Sequence, residues 1–575
     1  MAGGLPALTR LPGGTFTLAL ALGARRQLIR EWNGNPWHRW RLSRPRPDGL
    51  AATPRDPRPI DLENGRRILT GRFQFGGVTL DTGVRGDPWD RPSPSKRFAQ
   101  TLHGLDWMGD LLATGQAGAA EGLRLALDWS RVFGRWNGFS WDPELLERRV
   151  FNLACAAHPI CALASDAETA QIALDLARQA RCLLGELDPP VHAAERAVSV
   201  ALAGAALAGE AGEQLMDRGL VRLEKALPLT VLPDGGHASR CPAAALELLF
   251  DLQTLDDALV QRGVAGPDEM MRAMDRLAGA VRFFTLADGG LPALQGGEAL
   301  ERKYVAAARA SEDEQGRLPA SRNGYHRLES KSLQVVADAA PPAQGPWSVT
   351  ACAQPLAIEV LAHKKRMITA CAWSPIAAAP QGLRLADGAS TLSIADASCG
   401  DPLRGFLAHA LGPRLARAYE AVEARRHEGE GGLWLELSHD GWAKAFRLRH
   451  ERRLFLDVGA DELRGEDRLT PLTDAAAAAG ARRFAPFFLR FHIHPDVRAS
   501  LARDGRSVLL RAEGEETGWW LRNDAQEVAV ETSVYFQDGQ PRRAHQLVLR
   551  GHARLDAGAR VRWKLAAAEA WPPPH

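Results

Sequence analysis

Asn323-Gly324-Tyr325-His326-Arg327-Leu328, with Leu333-Gln334-Val335-Val336 just beyond it, is where the chain changes its period. Before this stretch apolar residues recur every three to four positions; after it they fall in short β-rich runs divided by Gly, Asp and Pro. Upstream, Phe98, Leu102, Leu105 and Leu112 share one helical face. Asp142-Pro143 caps and opens a helix with the stripe Leu146, Val150 and Leu153. Met216, Leu220, Leu223 and Leu227 make another stripe, and Pro267-Asp268 opens one along Met270, Met274, Leu277, Val281 and Phe284. Helices of this length on short turns predict antiparallel neighbours, hence a bundle or α/α toroid to about residue 318. Downstream, runs at 333–336, 356–360, 433–437, 453–458, 487–492, 508–511, 528–534, 545–549 and 561–565 predict stacked antiparallel sheets. Helices first and strands later predict a multidomain α+β chain. Residues 1–92 read as an N-terminal arm, 93–318 as the toroid and 319–575 as an antiparallel β-sandwich.

At 575 residues the chain exceeds what one hydrophobic core serves. Hydrophobic residues at 45% and charged residues at 24% suit a globular protein with a real core. A net charge of +2 argues against bulk binding of nucleic acid or anionic membrane. An anionic partner would need a local patch, for which Arg148, Arg149, Arg322, Arg327, Arg447, Arg452 and Arg453 are candidates. Seven cysteines without a CxxC pair form neither a disulfide framework nor a zinc ribbon. No apolar run reaches membrane-spanning length. The short apolar stretch 16–24 follows Arg10 and runs straight into Arg25, Arg26 and Arg30, which fits an ordinary amphipathic helix better than an export signal. Sixteen Trp against four Tyr give weak support for a sugar ligand, since indole faces stack on sugar rings. Most, such as Trp129, Trp347 and Trp373, are expected in the core.

The turn Leu232-Pro233-Asp234-Gly235-Gly236-His237-Ala238-Ser239-Arg240-Cys241-Pro242 lets the backbone approach a ligand and presents His237 and Arg240 at the mouth of a helix. A weaker relative is Asp288-Gly289-Gly290. Taken alone, each reads first as a helix-to-helix turn. In the second half stand Ser438-His439-Asp440-Gly441-Trp442 and His450-Glu451-Arg452-Arg453. His492 and His494 fall on one strand face, where two hydrogen-bonded histidines are a simpler reading than a metal site.

In this order, and with the Gly-Asp-Pro-Trp segment 86–89, the Leu102-His103-Gly104 helix, Arg490-Phe491-His492-Ile493-His494-Pro495-Asp496 and Glu531-Thr532-Ser533-Val534-Tyr535, these segments resemble the heparinase II/III-like polysaccharide lyases. The resemblance implies a toroid followed by a β-sandwich, and β-elimination at a uronic acid: the C6 carboxylate is neutralised, a base takes the C5 proton, and an acid protonates the departing oxygen. It implies catalytic roles for His237, Tyr325 and His439, and substrate contacts by Arg240, Asp234, Arg327, His450 and Arg452. It also implies a zinc site, of which Asp396 and His439 would remain. Departures surround the same site. Ala389 stands where the family's Ala-His-Ser-Thr segment has His, Cys352 replaces another His, Cys241 replaces Asn, and Ala243-Ala244-Ala245 carries no Tyr.

Two readings stay open: a lyase of weakened activity acting on an acidic polysaccharide, or a non-catalytic glycan-binding or scaffolding relative in envelope polysaccharide metabolism. A hydrolase using Asp234 with Asp440 is a third. By resemblance the chain works in the envelope or periplasm; without an export signal it stays in the cytoplasm.

Overall fold

The protein is described by a computed structural model covering residues 14–186, 189–310, 318–377, 381–429, 431–472 and 484–568. Arg10, and residues 311–317 ahead of the expected domain boundary, lie outside the described residues. The chain forms two compact units, Met1–Gly235 with Ala245–Ala278 and Ala307–Glu312, and Gly236–Ala244 with Gly279–Ala306 and Asp313–His575.

The first unit is helical. Helix Pro143–Ile160 starts as its sequence requires, with the Asp142 carboxylate accepting from the Glu144 N–H and Pro143 in the first turn. Helix Asp166–Gly185 opens on a reciprocal capping box between Ser165 and Glu168. Helices Ala193–Ala206 and Glu210–Thr230 follow, and the former is buried almost throughout. The apolar face expected from Phe98 to Leu112 is divided. Leu105 adopts a left-handed conformation (φ 60°) that ends helix Lys96–Gly104, and a second helix spans Met108–Leu112. Leu105 stays buried, so the apolar period runs on through a break that periodicity does not register.

Residues 1–92 hold more structure than an arm. Helices Gly14–Asn33, Pro36–Leu42 and Leu62–Leu69 and a hairpin of Arg72–Phe75 with Val78–Asp81 are present. The stretch 16–24 is helical as expected, with Phe16, Leu18 and Leu20 exposed. Among the described residues no helix is long and apolar enough to cross a membrane.

The second unit holds two large antiparallel sheets and a small two-stranded one, Asp401–Pro402 with Leu415–Arg417. One runs in the order Glu527–Gln537, Gln540–Arg554, Phe484–Ile493, Lys365–Thr369, Ile358–Ala362, Leu333–Asp338, Tyr325–Glu329 and Ser321–Arg322, with Leu392–Ile394 also pairing Phe484–Ile493. The other runs Val422–Gly429, Gly432–His439, Leu448–Asp457, Glu462–Pro471, Ala559–Ala567, Trp519–Asn523, Val508–Ala512 and Val497–Leu501. Their inner faces share one core, in which Val335, Ile358, Leu489 and Phe491 of the first sheet join Leu435, Leu454, Leu463 and Trp563 of the second. This is the helical toroid and β-sandwich of the expected fold class.

Strand Glu462–Pro471 was not among the expected runs, because charge hides its pattern. Leu463, Gly465, Asp467 and Leu469 are buried, while Arg464 and Arg468 are exposed. Gly465 is required there. A Cβ at this position would sit 2.1 Å from the Trp563 ring, directly opposite in register. Gly465→Ala should therefore lower stability by roughly 1–3 kcal/mol through overpacking. Denaturant unfolding measures this, and an unchanged midpoint would show that Trp563 can withdraw without loss.

Candidate functional site

Asn323-Gly324 is a two-residue β-turn joining strands Ser321–Arg322 and Tyr325–Glu329, with both residues at positive φ (51° and 75°). A side chain at Gly324 would meet the Ala340 Cβ at 2.4 Å and Arg240 Nη2 at 2.9 Å. The turn turns its carbonyls to Arg240. Arg240 Nε donates to Asn323 O (3.2 Å), Nη1 to Ala340 O (3.1 Å) and Pro341 O (2.9 Å), and Nη2 to Gly324 O (3.2 Å) and Asp338 Oδ1 (2.6 Å). These bonds use every N–H of the guanidinium. The group also lies over the Tyr325 ring, 4.6 Å from its centroid. Burial works against the Arg240 charge, but Asp338 beside it outweighs burial and holds the pKa above the ordinary arginine value. Asp338 Oδ2 accepts from Gln295 Nε2 (2.9 Å), and Gln295 Oε1 accepts from the Cys352 N–H (3.0 Å).

Tyr325 is fully buried, and its hydroxyl donates to Arg240 O (3.0 Å). Burial pushes the phenol well above its ordinary value. His237 is buried too. Its Nδ1 lies 2.7 Å from Ser239 Oγ and accepts from the Ser239 N–H (3.2 Å), while its ring meets the half-buried Trp347 edge-on. Burial lowers the His237 pKa to about 4.

A second chain of hydrogen bonds crosses the other sheet. The Gly441 N–H donates to His439 Nδ1 (3.0 Å), so the His439 proton is on Nε2 and donates to His450 Nδ1 (3.2 Å); His450 Nε2–H in turn donates to Asp467 Oδ1 (2.8 Å). Asp467 also accepts from Arg452 Nε (2.8 Å) and Trp563 Nε1 (2.9 Å). Burial alone would raise Asp467, but the Arg452 charge and the His450 bond hold it at about 2. Burial keeps both histidines below the ordinary value, and Arg452 and the neighbouring ring add to this for His439. Arg452 Nη1 donates to Leu356 O (2.6 Å) and Ser390 O (3.0 Å), next to Ala389. Ala389 itself is buried in a small cluster with Ala357 and Ala370.

The second unit thus brings His237, Arg240 and Tyr325 together, and His439, His450 and Arg452 together. Tyr419 lies between them, its ring 5.4 Å from that of His439 and its charge environment shared with Asp338, Arg240 and Tyr325. Asp234 is exposed in its turn. Arg327 is tied to Phe283 O and Thr285 O (2.7 Å each) and to Glu329. The arginines read as one polyanion patch do not form one, since Arg149 and Arg452 are fully buried and Arg148 is bound to Asp251 (3.0 Å). Asp440 is paired with Arg449 (2.7 Å).

Zinc does not fit the residues read for it. Asp396 is exposed, His439 is buried, and neither ring nitrogen of His439 has a lone pair to offer. Among the described residues no three His, Cys, Asp or Glu side chains are grouped to hold a metal ion. His492 and His494 have separate partners: His492 bonds Ser533 Oγ (2.9 Å) and Asp387 O (3.0 Å), and His494 packs on Tyr535. Asp338, Gln295, Tyr419 and Asp467 were missed from sequence. The signal for Asp338 was a carboxylate closing the apolar run Leu333-Gln334-Val335-Val336-Ala337; Asp467 was masked by its charged neighbours.

A helical toroid followed by a two-sheet sandwich is an architecture that the chain shares with solved heparinase structures. The heparinase II/III-like C-terminal family matches residues 316–564. The crystal structure of heparinase III superposes with a TM-score of 0.68 at 14% identity, covering 89% of this chain and 86% of that one. A mutant of the heparan sulfate lyase HepC from Pedobacter heparinus gives 0.57 at 15%, covering 94% and 88%. Residues 316–564 are thus a heparinase II/III-like C-terminal domain, and the chain as a whole shares the fold of heparinase III. It is also 52% identical over 569 residues to FtsZ-localized protein C of Caulobacter vibrioides (strain NA1000 / CB15N), covering 98% of each chain.

Two tests follow from the buried network. Asp338→Asn strands the Arg240 charge and should cost about 3–5 kcal/mol of stability. Combining it with Arg240→Met should cost less than the sum of the single changes, because no charge is then stranded; strict additivity in denaturant melts would show the pair to be uncoupled. Histidines held neutral in the fold cannot take up the protons that the unfolded chain binds below its ordinary value of 6.5. Above that pH both states are neutral, and nothing is lost. Below it the unfolded state gains, and each such histidine should remove about 1.4 kcal/mol per pH unit until its folded pKa is reached. For His237 and His492 that loss ends near about 4. Unfolding midpoints that stay flat from about pH 7 to about pH 5 would mean that these rings are protonated in the fold.

Proposed function

We propose that this chain keeps the lyase architecture but works as a non-catalytic scaffold that associates with FtsZ. The observation carrying this reading is the saturation of Arg240. β-Elimination requires a cationic or hydrogen-bonding group that neutralises the uronate carboxylate. The arginine read for that task has given every donor to the protein's own acceptors. Of the proton carriers, Tyr325, His439 and His450 are committed in the same way. Tyr325 donates to a carbonyl, and His439 and His450 relay to a carboxylate that Arg452 already holds. Ala389, in an all-alanine cluster, offers no proton. The partner is supported by the name of the 52% identical relative, which places that protein with FtsZ. A glycan-binding role in envelope polysaccharide metabolism is the same scaffold reading with a different ligand.

The lyase reading is favoured by the fold and by one residue. The Tyr419 hydroxyl is buried with no partner among the described residues, which leaves one phenol near His439 uncommitted.

Purified protein should give no rise in ultraviolet absorbance from unsaturated product with any of a panel of acidic polysaccharides, and should co-sediment with FtsZ polymers. Tyr325→Phe should leave the co-sedimentation unchanged. Product formation that is lost in Tyr419→Phe would replace the scaffold reading with the lyase one. Absence of co-sedimentation would remove FtsZ as the partner.

A further inference from the structure

Helix Pro36–Leu42 is fastened along helix Asp166–Gly185 of the first unit at both of its ends. Ahead of it, Asn33 Nδ2 donates to Glu186 Oε1 (2.9 Å). At its end, Arg181 donates to Leu42 O and Pro45 O (2.7 Å each). Gly34 sits beside Trp136, and a Cβ there would lie 3.9 Å from the indole. Three arginines are thereby gathered: Arg39 from the short helix, Arg178 from the long one, and Arg135 from the bend that follows helix Gln116–Phe133.

Their charges press on one another. Burial lowers the Arg39 pKa, the Arg178 and Arg135 charges lower it further, and Asp175 pulls the other way. Asp175 is a shared counter-charge, since it also accepts from Ser130 Oγ (2.5 Å) and Gln171 Nε2 (2.8 Å). Arg178 is 9% exposed, and its guanidinium makes one long bond among the described residues, to Asp175 Oδ1 (3.4 Å). Arg39 and Arg135 are exposed. Like charges held this close cost stability. Arginines on an ordinary solvated face turn away from one another, which a buried Arg178 cannot do. Three cations against one shared carboxylate leave a surplus of two positive charges.

We propose that Arg39, Arg135 and Arg178 form a site for the terminal phosphate of a small phosphate monoester. Guanidinium groups fork onto phosphate oxygens with paired hydrogen bonds. A monoester carries about −1.5 to −2 charges at neutral pH and matches the surplus, whereas a phosphodiester carries a single charge. The site lies apart from the Arg240 and His439 networks, so it holds under the scaffold and the lyase readings alike.

The test is titration calorimetry of full-length protein with methyl phosphate and with dimethyl phosphate at equal ionic strength. Methyl phosphate should bind, and the diester should bind about tenfold more weakly or worse. Arg39→Gln and Arg135→Gln alter exposed side chains and leave the fold intact; each should weaken methyl phosphate binding by about tenfold. Arg66→Gln, an exposed arginine on helix Leu62–Leu69, should leave it unchanged. Arg178→Met should abolish binding, and if that variant does not fold the two exposed-residue variants decide. Absence of methyl phosphate binding overturns the proposal, as does equal affinity for the two esters. Binding that survives Arg39→Gln, or that falls as far in Arg66→Gln, overturns it too.

Discussion

Arg240 is a cation cut off from water, and the segment that carries it is fixed wherever its acceptors are. Four backbone carbonyls and the Asp338 carboxylate supply them, and two of the four belong to the Asn323-Gly324 turn, whose shape the arginine in turn stabilises. A point charge such as lysine could not make this set, because the bonds leave a planar fork in five fixed directions. Arg240 itself sits at φ 62°, in the left-handed region that a non-glycine residue occupies at a cost. The surrounding bonds over-determine it. Asp338 then extends the knot through Gln295 to the backbone of Cys352, so three separate loops of the second unit are fixed by one ion pair.

The histidine chain solves a related problem in the neighbouring sheet. Four buried polar residues, His439, His450, Arg452 and Asp467, form this network, and such a network is tolerated only when each member is satisfied. The Gly441 N–H sets the tautomer of His439, which sets that of His450, and Asp467 closes the chain while balancing Arg452. In this arrangement the side chains suited to moving protons are used to hold two strands in register. The same residue types would serve a lyase only if a lone pair or a proton were left over for substrate, as at the Tyr419 hydroxyl, which is buried with no hydrogen-bond partner among the described residues. A shared fold with heparinase III at 14% identity is compatible with either use, since function is set by the site and not by the scaffold.

The amino-acid sequence by itself determined the order of the architecture. A period of 3.6 up to about residue 318 and short β-rich runs after Gly324 need no tertiary information, and neither does the cap at Asp142-Pro143, because each rests on contacts within a few residues. His237, Arg240 and Tyr325, and His439, His450 and Arg452, were also legible in motifs, whereas Asp338, Gln295, Tyr419 and Asp467 were not. Tertiary structure alone decided what they do. Whether Arg240 faces a ligand or a carbonyl depends on Ala340 and Pro341, 100 and 101 residues away. Which His450 nitrogen carries the proton depends on distant partners that include Asp467, in a strand whose charged exterior hid its buried face. Burial and hydrogen-bond saturation are sums over distant neighbours, and no local pattern along the chain contains them.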